Sequence, residues 1–407
     1  MRIILFTGKG GVGKTTAAAG AAALSAEQGL RTLVLSTDAA HSLADVLGHP
    51  VGPEPTQVAP HLAAQQIDAQ ARFERSWAEV QKYLLAVLDA AGVDRITAEE
   101  LTVIPGAEEV LALLEVRQQA VSGRWDTVIV DCAPTAETLR LLALPEALSW
   151  YMDRVFPAER RLVKALRPVL VKATGVPMPE DSVFDALERL HHDLEQVHAL
   201  LTGVDASVRL VLTPETMVVA EARRAFTSLS LFGYRVDGVI ANRVFPADGA
   251  DPWRARWVAA QTEVLDEVAQ SFGGLPVWRS PYLGEEPLGP RALAALARRV
   301  YDGDDPTVPV GPSPLGVRRT DAGAELRLAL PFAERADVDL ARHGEELVVT
   351  VAGYRRLLTL PGWLARMRVK GAAVDGGSLR VRFVDEPVEA ATPASHHSPT
   401  SGEGRSA

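Results

Sequence analysis

Along the first three quarters of the chain, two kinds of apolar pattern take turns. Short continuous runs at 2–6, 32–36, 127–130, 208–213 and 236–242, with a weaker one at 276–278, predict buried strands. Between them, apolar residues recur at helical spacing, as in Phe73, Trp77, Val80, Leu84 and Val87, and again in Val110, Leu113, Leu114 and Val121. An alanine-rich stretch over 15–27 predicts a further helix. This alternation predicts an α/β unit over 1–302, with a mostly parallel sheet covered on both faces. Residues 144–201 read as mainly helical and are long for a simple crossover, so they are expected to form an insertion that covers or binds something. Beyond 320 the period changes. Leu326, Leu328 and Leu330 alternate with polar positions, as do Leu347, Val349 and Val351, and Leu379, Val381 and Phe383, which predicts a small all-β sandwich over 321–385. The Gly-, Pro- and Asp-rich segment 303–320 predicts a linker, and 386–407, with little to bury, a disordered tail.

Composition narrows the setting. A length of 407 residues with 47% hydrophobic content supports two or three domains with substantial cores. No run approaches the ~18–20 apolar residues of a membrane span, and the chain enters its first strand without a cleavable leader, so a cytoplasmic protein is expected. A net charge of −10 argues against general nucleic-acid affinity, which depends on basic surface. The single cysteine, Cys132, excludes an intrachain disulfide and any zinc site built on Cys-x-x-Cys within the chain.

Chemistry enters directly behind the first strand. Gly8, Lys9, Gly10, Gly11, Val12, Gly13, Lys14, Thr15 and Thr16 form a phosphate-binding loop, in which a glycine-rich turn aims backbone N–H groups at one point before a helix N-terminus. Lys14 is expected to reach the β/γ-phosphates, and Thr15 to place its hydroxyl on Mg²⁺. The Lys-Thr pair favours a nucleoside triphosphate over a dinucleotide, although the run also satisfies G-x-G-x-x-G. At the end of the second strand, Asp38 faces the γ-phosphate position, where it can orient or deprotonate water or hold Mg²⁺ through water. The strand over 127–130 runs into Asp131, a Walker B arrangement that puts this carboxylate near Mg²⁺.

Lys9, at the start of the turn, is unusual for such a loop. The loop resembles that of the signature-lysine ATPases, in which this lysine crosses a dimer interface to the partner's phosphates. The loop, the Ser36-Thr37-Asp38 to Leu43 segment and the Asp131 to Leu141 segment together resemble the arsenite-pump and tail-anchored-protein-targeting ATPase family (ArsA type). Pro105-Gly106-Ala107-Glu108-Glu109, Thr213-Pro214-Glu215, Ala241-Asn242-Arg243 and Pro281-Tyr282-Leu283 follow in the same order, and the resemblance covers about residues 1–300. It implies ATP as the nucleotide, with Asn242 and the loop of Pro281, Tyr282 and Leu283 flanking the adenine. It also implies a homodimer with Lys9 and Asp38 as catalytic residues. The chain departs from the family at Ala39, where Pro is usual, and at Ala136-Glu137, where Gly-His is usual.

Two functional readings follow from the resemblance. In the first, nucleotide state controls the capture of a hydrophobic or membrane-protein client. Leu84, Leu85, Val87, Leu88, Met152, Phe156, Leu166, Val169 and Leu170 are candidates to line its groove, although such stripes also suit an internal core. In the second, the chain is the regulatory ATPase of an anion or arsenite exporter with a membrane permease as partner. One cysteine is a poor basis for metalloid binding by thiolates. The C-terminal module resembles an α-crystallin (small heat-shock protein) domain through Leu328 to Pro331, Glu346 to Val349, Tyr354 to Arg356, Leu360-Pro361 and Gly377 to Leu379.

Overall fold

The computed structural model describes residues 1–38, 42–67, 107–133, 181–249, 251–308 and 311–385, together with position 85. The apolar stripe from Phe73 to Val87, the second-switch segment after Ala133, the insertion up to residue 180 and the tail from 386 lie outside the described residues, apart from Leu85.

An eight-stranded sheet forms the first layer system. Its strands are β1 (Arg2–Thr7), β2 (Thr32–Ser36), β3 (Thr56–Ala59), β4 (Leu62–Gln66), β5 (Thr127–Asp131), β6 (Ala206–Leu212), β7 (Val236–Val244) and β8 (Val277–Pro281), in the order β3-β4-β2-β5-β1-β6-β7-β8. Every neighbouring pair is parallel except β3 with β4. The hairpin β3–β4 has no counterpart among the expected strands. The signal in Leu62-Ala63-Ala64-Gln65-Gln66 is hidden because both glutamines are buried. Helices α1 (Lys14–Glu27), α2 (Ser42–Leu47), α3 (Ala107–Val121), α4 (Asp181–Thr202), α5 (Thr216–Leu231), α6 (Pro252–Ser271) and α7 (Pro290–Tyr301) complete this unit. Val121, expected to continue the apolar stripe, is 66% exposed at the last turn of α3.

Helix α1 is central, and from Ala17 to Leu24 it carries no polar side chain. Ala18, Ala19, Ala21, Ala22 and Ala23 are buried, as expected for a helix covered on all sides. Small side chains let α7 approach closely: a Cβ on Gly20 would stand 3.2 Å from the carbonyl oxygen of Leu293. Since β1 and α1 bracket the glycine-rich loop, this packing fixes the loop at the C-terminal edge of the sheet.

A charged cluster sits inside the core. Asp237 on β7 accepts from Arg209 Nε at 3.1 Å and Nη2 at 2.8 Å, from Arg2 Nη2 at 2.9 Å and from Ser207 Oγ at 2.6 Å. Arg209 donates also to the Tyr301 hydroxyl at 2.9 Å and lies over the rings of Trp278, Tyr301 and Phe6 at 4.6, 5.4 and 5.6 Å. Burial depresses the Arg2 guanidinium, whereas the surroundings of Arg209 raise it despite full burial, through Tyr301 and Asp237.

The C-terminal module pairs two antiparallel sheets. One contains β9 (Leu315–Thr320), β10 (Gly323–Ala329), β14 (Arg368–Asp375) and β15 (Ser378–Val384) in the order β14-β15-β10-β9. The other contains β11 (Val338–His343), β12 (Glu346–Val351) and β13 (Tyr354–Thr359), and a short helix α8 (Gly362–Ala365) precedes β14. The expected linker over 303–320 is therefore shorter than its composition suggests, because 315–320 adds an edge strand to β10. Alternation carried too little signal there, since five of the six residues of β9 are exposed. The sandwich core encloses Leu326, Leu328, Val349 and Phe383, and also Leu231 from the end of α5.

Candidate nucleotide site

Parallel strands place their C-terminal ends on one edge, and the register brings three functional segments level there. Phe6 and Ser36 both pair with Asp131, so the loop after β1, the segment after β2 and the end of β5 meet.

The loop conformation depends on glycine at two positions for different reasons. Gly13 has φ 93°, caps α1 from the left-handed region, and a Cβ there would stand 2.2 Å from Asn242 Nδ2. Gly8 is fixed by proximity, since its Cβ would stand 2.1 Å from the carbonyl oxygen of Val211 on β6. Asn242 Nδ2 donates to the Val12 carbonyl at 2.8 Å, which ties β7 to the loop 230 residues away in sequence. Lys14 is buried and donates from Nζ to the Lys9 carbonyl at 3.4 Å. Lys9 itself points outward, with its side chain 43% exposed, and Nζ lies 3.8 Å from Glu221 Oε2 on α5.

Asp131 is 1% exposed. Its Oδ2 accepts from Ser36 Oγ at 3.4 Å, while Oδ1 is buried with no hydrogen-bond partner among the described residues. Desolvation pushes its carboxyl up to about 6, against the opposing effects of the Thr15 hydroxyl and the Lys14 charge, and the nearby Asp38 adds to the rise. Asp38 is placed by its backbone: its N–H donates to Ser36 Oγ at 3.2 Å and its carbonyl accepts from Gln66 Nε2 at 2.8 Å. Thr37 Oγ1 accepts from the Ala133 N–H at 3.2 Å, joining the two switch segments. The sequence reading did not single out Ser36, Gln66 or Glu221. Only Ser36 carried a signal, through its place next to Thr37-Asp38.

On the other side of the loop, the end of β8 brings Pro281 and Tyr282 beside β7, with the Tyr282 N–H donating to the Val244 carbonyl at 2.8 Å. Tyr282 is 48% exposed and stacks on Phe245 with ring centroids 5.1 Å apart, and Leu283 packs against the core. A cleft between α1, α7 and β8 is lined by Thr16, Ala17, Asn242, Ser280, Val300 and Tyr301. Cys132 is buried beside Asp131, and burial raises its thiol far above the ordinary range, which makes it inert.

Comparison with known proteins agrees with this arrangement. The family model for anion-transporting ATPases matches residues 1–302, and that for an HSP20-like domain found in ArsA matches 321–383. A protein of Chlorobaculum tepidum named "Putative arsenical pump-driving ATPase" is 36% identical over 390 residues, covering 94% of this chain and 96% of the other. An uncharacterized protein of Streptomyces coelicolor is 38% identical over 389 residues, covering 95% and 98%. The ATPase get3 of Aspergillus terreus is 27% identical over 301 residues, covering 72% and 88%. A parallel sheet with a glycine-rich loop behind β1, an Asp at the end of β5 and an appended β-sandwich thus has one consistent reading: the chain belongs to the anion-transporting (ArsA-type) ATPase family and hydrolyses ATP.

Proposed function

We propose that the protein is an Mg²⁺-dependent ATPase that works as a homodimer and couples nucleotide state to the binding or targeting of a hydrophobic or membrane-protein client. The observation that carries the Mg²⁺ site is Asp131 Oδ1, a buried carboxylate oxygen that has no partner among the described residues and lies beside Thr15, Ser36 and Asp38. A hard divalent cation suits such an all-oxygen set. Thr15, Asp38 and Asp131 would hold it, the last two directly or through water. When bound, Mg²⁺ neutralises charge on the β- and γ-phosphates.

The chain's own groups do the rest. Backbone N–H groups of Gly8, Gly10, Gly11, Val12, Gly13, Lys14, Thr15 and Thr16 cradle the phosphates, with Lys14 leaving the Lys9 carbonyl to reach them. Asp38 orients and deprotonates the attacking water. Asn242, Pro281, Tyr282 and Leu283 receive the adenine, with the half-exposed Tyr282 ring, stacked on Phe245, offering it an aromatic face. Lys9 exchanges Glu221 for the partner's phosphates on closure, an added cation of the kind worth about 10³–10⁵ in rate elsewhere. Hydrolysis by Lys9→Ala as fast as by wild type would remove the cross-dimer step.

Client handling follows from the resemblance to the tail-anchored-protein-targeting ATPases and is tested by pull-down. Asp38→Asn protein held with Mg²⁺·ATP should retain hydrophobic, single-span proteins. Recovery of a permease instead would move the protein to the second reading, the regulatory ATPase of an anion exporter, which the relatives named for arsenical pumps favour. For metalloid activation, Cys132 is an unsuitable contact because its thiol is buried and held protonated.

A further inference from the structure

The strongest uncommitted feature is the outward face of the four-stranded sheet in the C-terminal module. Residues 315–385 carry twelve Lys and Arg against nine Asp and Glu, whereas the whole chain has 42 against 52. Alternation along the strands decides where these charges go. Leu326, Leu328, Leu379, Val381 and Phe383 turn inward, so Arg327, Arg380 and Arg382 turn outward and are exposed. The antiparallel register then sets Arg380 directly opposite Arg327, a like-charge pair that weakens a ladder unless something anionic covers it.

Neighbouring positions leave the guanidinium groups open. Gly316 stands opposite Arg327 and Ala373 opposite Arg380, whereas Arg382 stands between Gly371 on β14 and Glu325 on β10. Arg327 is steadied by Ser378 Oγ at 3.3 Å. Among the described residues, the nearest outward carboxylate is that of Glu325, which already pairs with Arg318 at 3.1 Å, and Asp375 lies at the turn end of the face opposite Ser378. The cations therefore present themselves together on a sheet surface roughly 14 Å across its four strands.

We propose that this face docks onto an anionic phospholipid surface. Guanidinium groups match phosphate oxygens in a bidentate fashion, and a sheet face meets many headgroups at once without a groove. No aromatic side chain stands at the outward positions of these strands, so the stacking platform of a single-stranded nucleic-acid site is missing. The acidic remainder of the chain confines the attraction to this module. The inference is independent of which client the ATPase handles.

The test is co-sedimentation of the full chain with phosphatidylcholine vesicles, with and without phosphatidylglycerol. Wild type should sediment only with the anionic vesicles, and about 0.5 M salt should release it. The combined Arg327→Gln, Arg380→Gln and Arg382→Gln variant should lose about 100-fold in partitioning, at about fivefold per basic side chain, with ATP hydrolysis unchanged and the urea midpoint no lower than that of wild type. Should the triple variant fold poorly, Arg382→Glu alone should lose at least fivefold. Equal sedimentation with neutral vesicles, none with either kind at low salt, retention by the variants, or tighter binding to a single-stranded oligonucleotide than to vesicles would each overturn the proposal.

Discussion

Replacing Asp237 by Asn leaves the shape of the core intact but removes the carboxylate that Arg209 and Arg2 share. Both Arg209 and Asp237 have fully buried side chains, so water cannot take over the lost interaction. Arg2 is partly insured, because it also donates to the Asp205 carbonyl at 2.8 Å and the Thr307 carbonyl at 2.9 Å. Among the described residues, Arg209 keeps the Tyr301 hydroxyl, one neutral amide oxygen at position 237 and its aromatic neighbours, with no counter-ion. Breaking a buried pair by removing one partner costs about 3–5 kcal/mol, since the remaining ion stays desolvated. At an m-value of about 3 kcal/mol/M, the urea midpoint of Asp237→Asn should fall by about 1–1.7 M, followed by tryptophan fluorescence, to which Trp278 over Arg209 contributes. The double variant Asp237→Asn with Arg209→Met should regain much of that loss, because both halves of the pair are then gone. A single-variant midpoint within about 0.3 M of wild type would refute the argument that this cluster depends on one carboxylate.

Three further outcomes are expected. The Asp131 carboxyl, raised to about 6, is protonated in the folded metal-free protein at pH values where the unfolded chain has already ionised, so this group's contribution to stability is full below about 4 and is lost as pH rises through 6. Asp131→Asn should accordingly stabilise the metal-free protein at pH 7, by up to about 3 kcal/mol, with no gain at pH 4, as urea unfolding across pH would read. Gly8→Ala should abolish nucleotide binding in an equilibrium titration, because its Cβ meets the Val211 carbonyl, whereas Gly10→Ala, with nothing within 4 Å, should leave the unfolding midpoint unchanged. Glu221→Gln should raise ATP turnover up to about fivefold, the scale of one exposed ion pair, and the rise should vanish in a Lys9→Ala background; turnover unchanged in both backgrounds would remove Glu221 as a restraint on Lys9.

Much of the sheet was legible because parallel strands buried on both faces read as continuous apolar runs. Residues 2–6, 32–36 and 127–130 fall inside β1, β2 and β5 for that reason. The hairpin β3–β4 and the edge strand β9 were not legible. In β4 the two glutamines are buried along with the apolar residues, and in β9 five of six residues are exposed at an edge, so neither shows the alternation that marks a strand. At the site, the loop, Asp38 and Asp131 stood out because chemistry demands fixed types at fixed offsets. Ser36, Gln66 and Glu221 act through contacts made only after folding, across 95, 28 and 212 positions of chain respectively. The cluster of Arg2, Arg209 and Asp237 is the clearest case. Each residue looks like an ordinary surface charge within its own strand, and only the alignment of β1, β6 and β7 brings them together.

Leu231 closes α5, yet its side chain belongs to the sandwich, where Arg356 donates to its carbonyl and Thr227 bonds the Pro331 carbonyl. The two modules are therefore not independent parts joined by a tether. During synthesis the ATPase portion leaves the ribosome with this leucine uncovered until more than a hundred further residues have followed, so an intermediate with a sticky apolar spot precedes the finished molecule. Dissection at the apparent boundary inherits the same defect permanently. A fragment ending near residue 302 should aggregate where the intact chain does not, and the sandwich expressed alone should carry a hole in its core where Leu231 belongs.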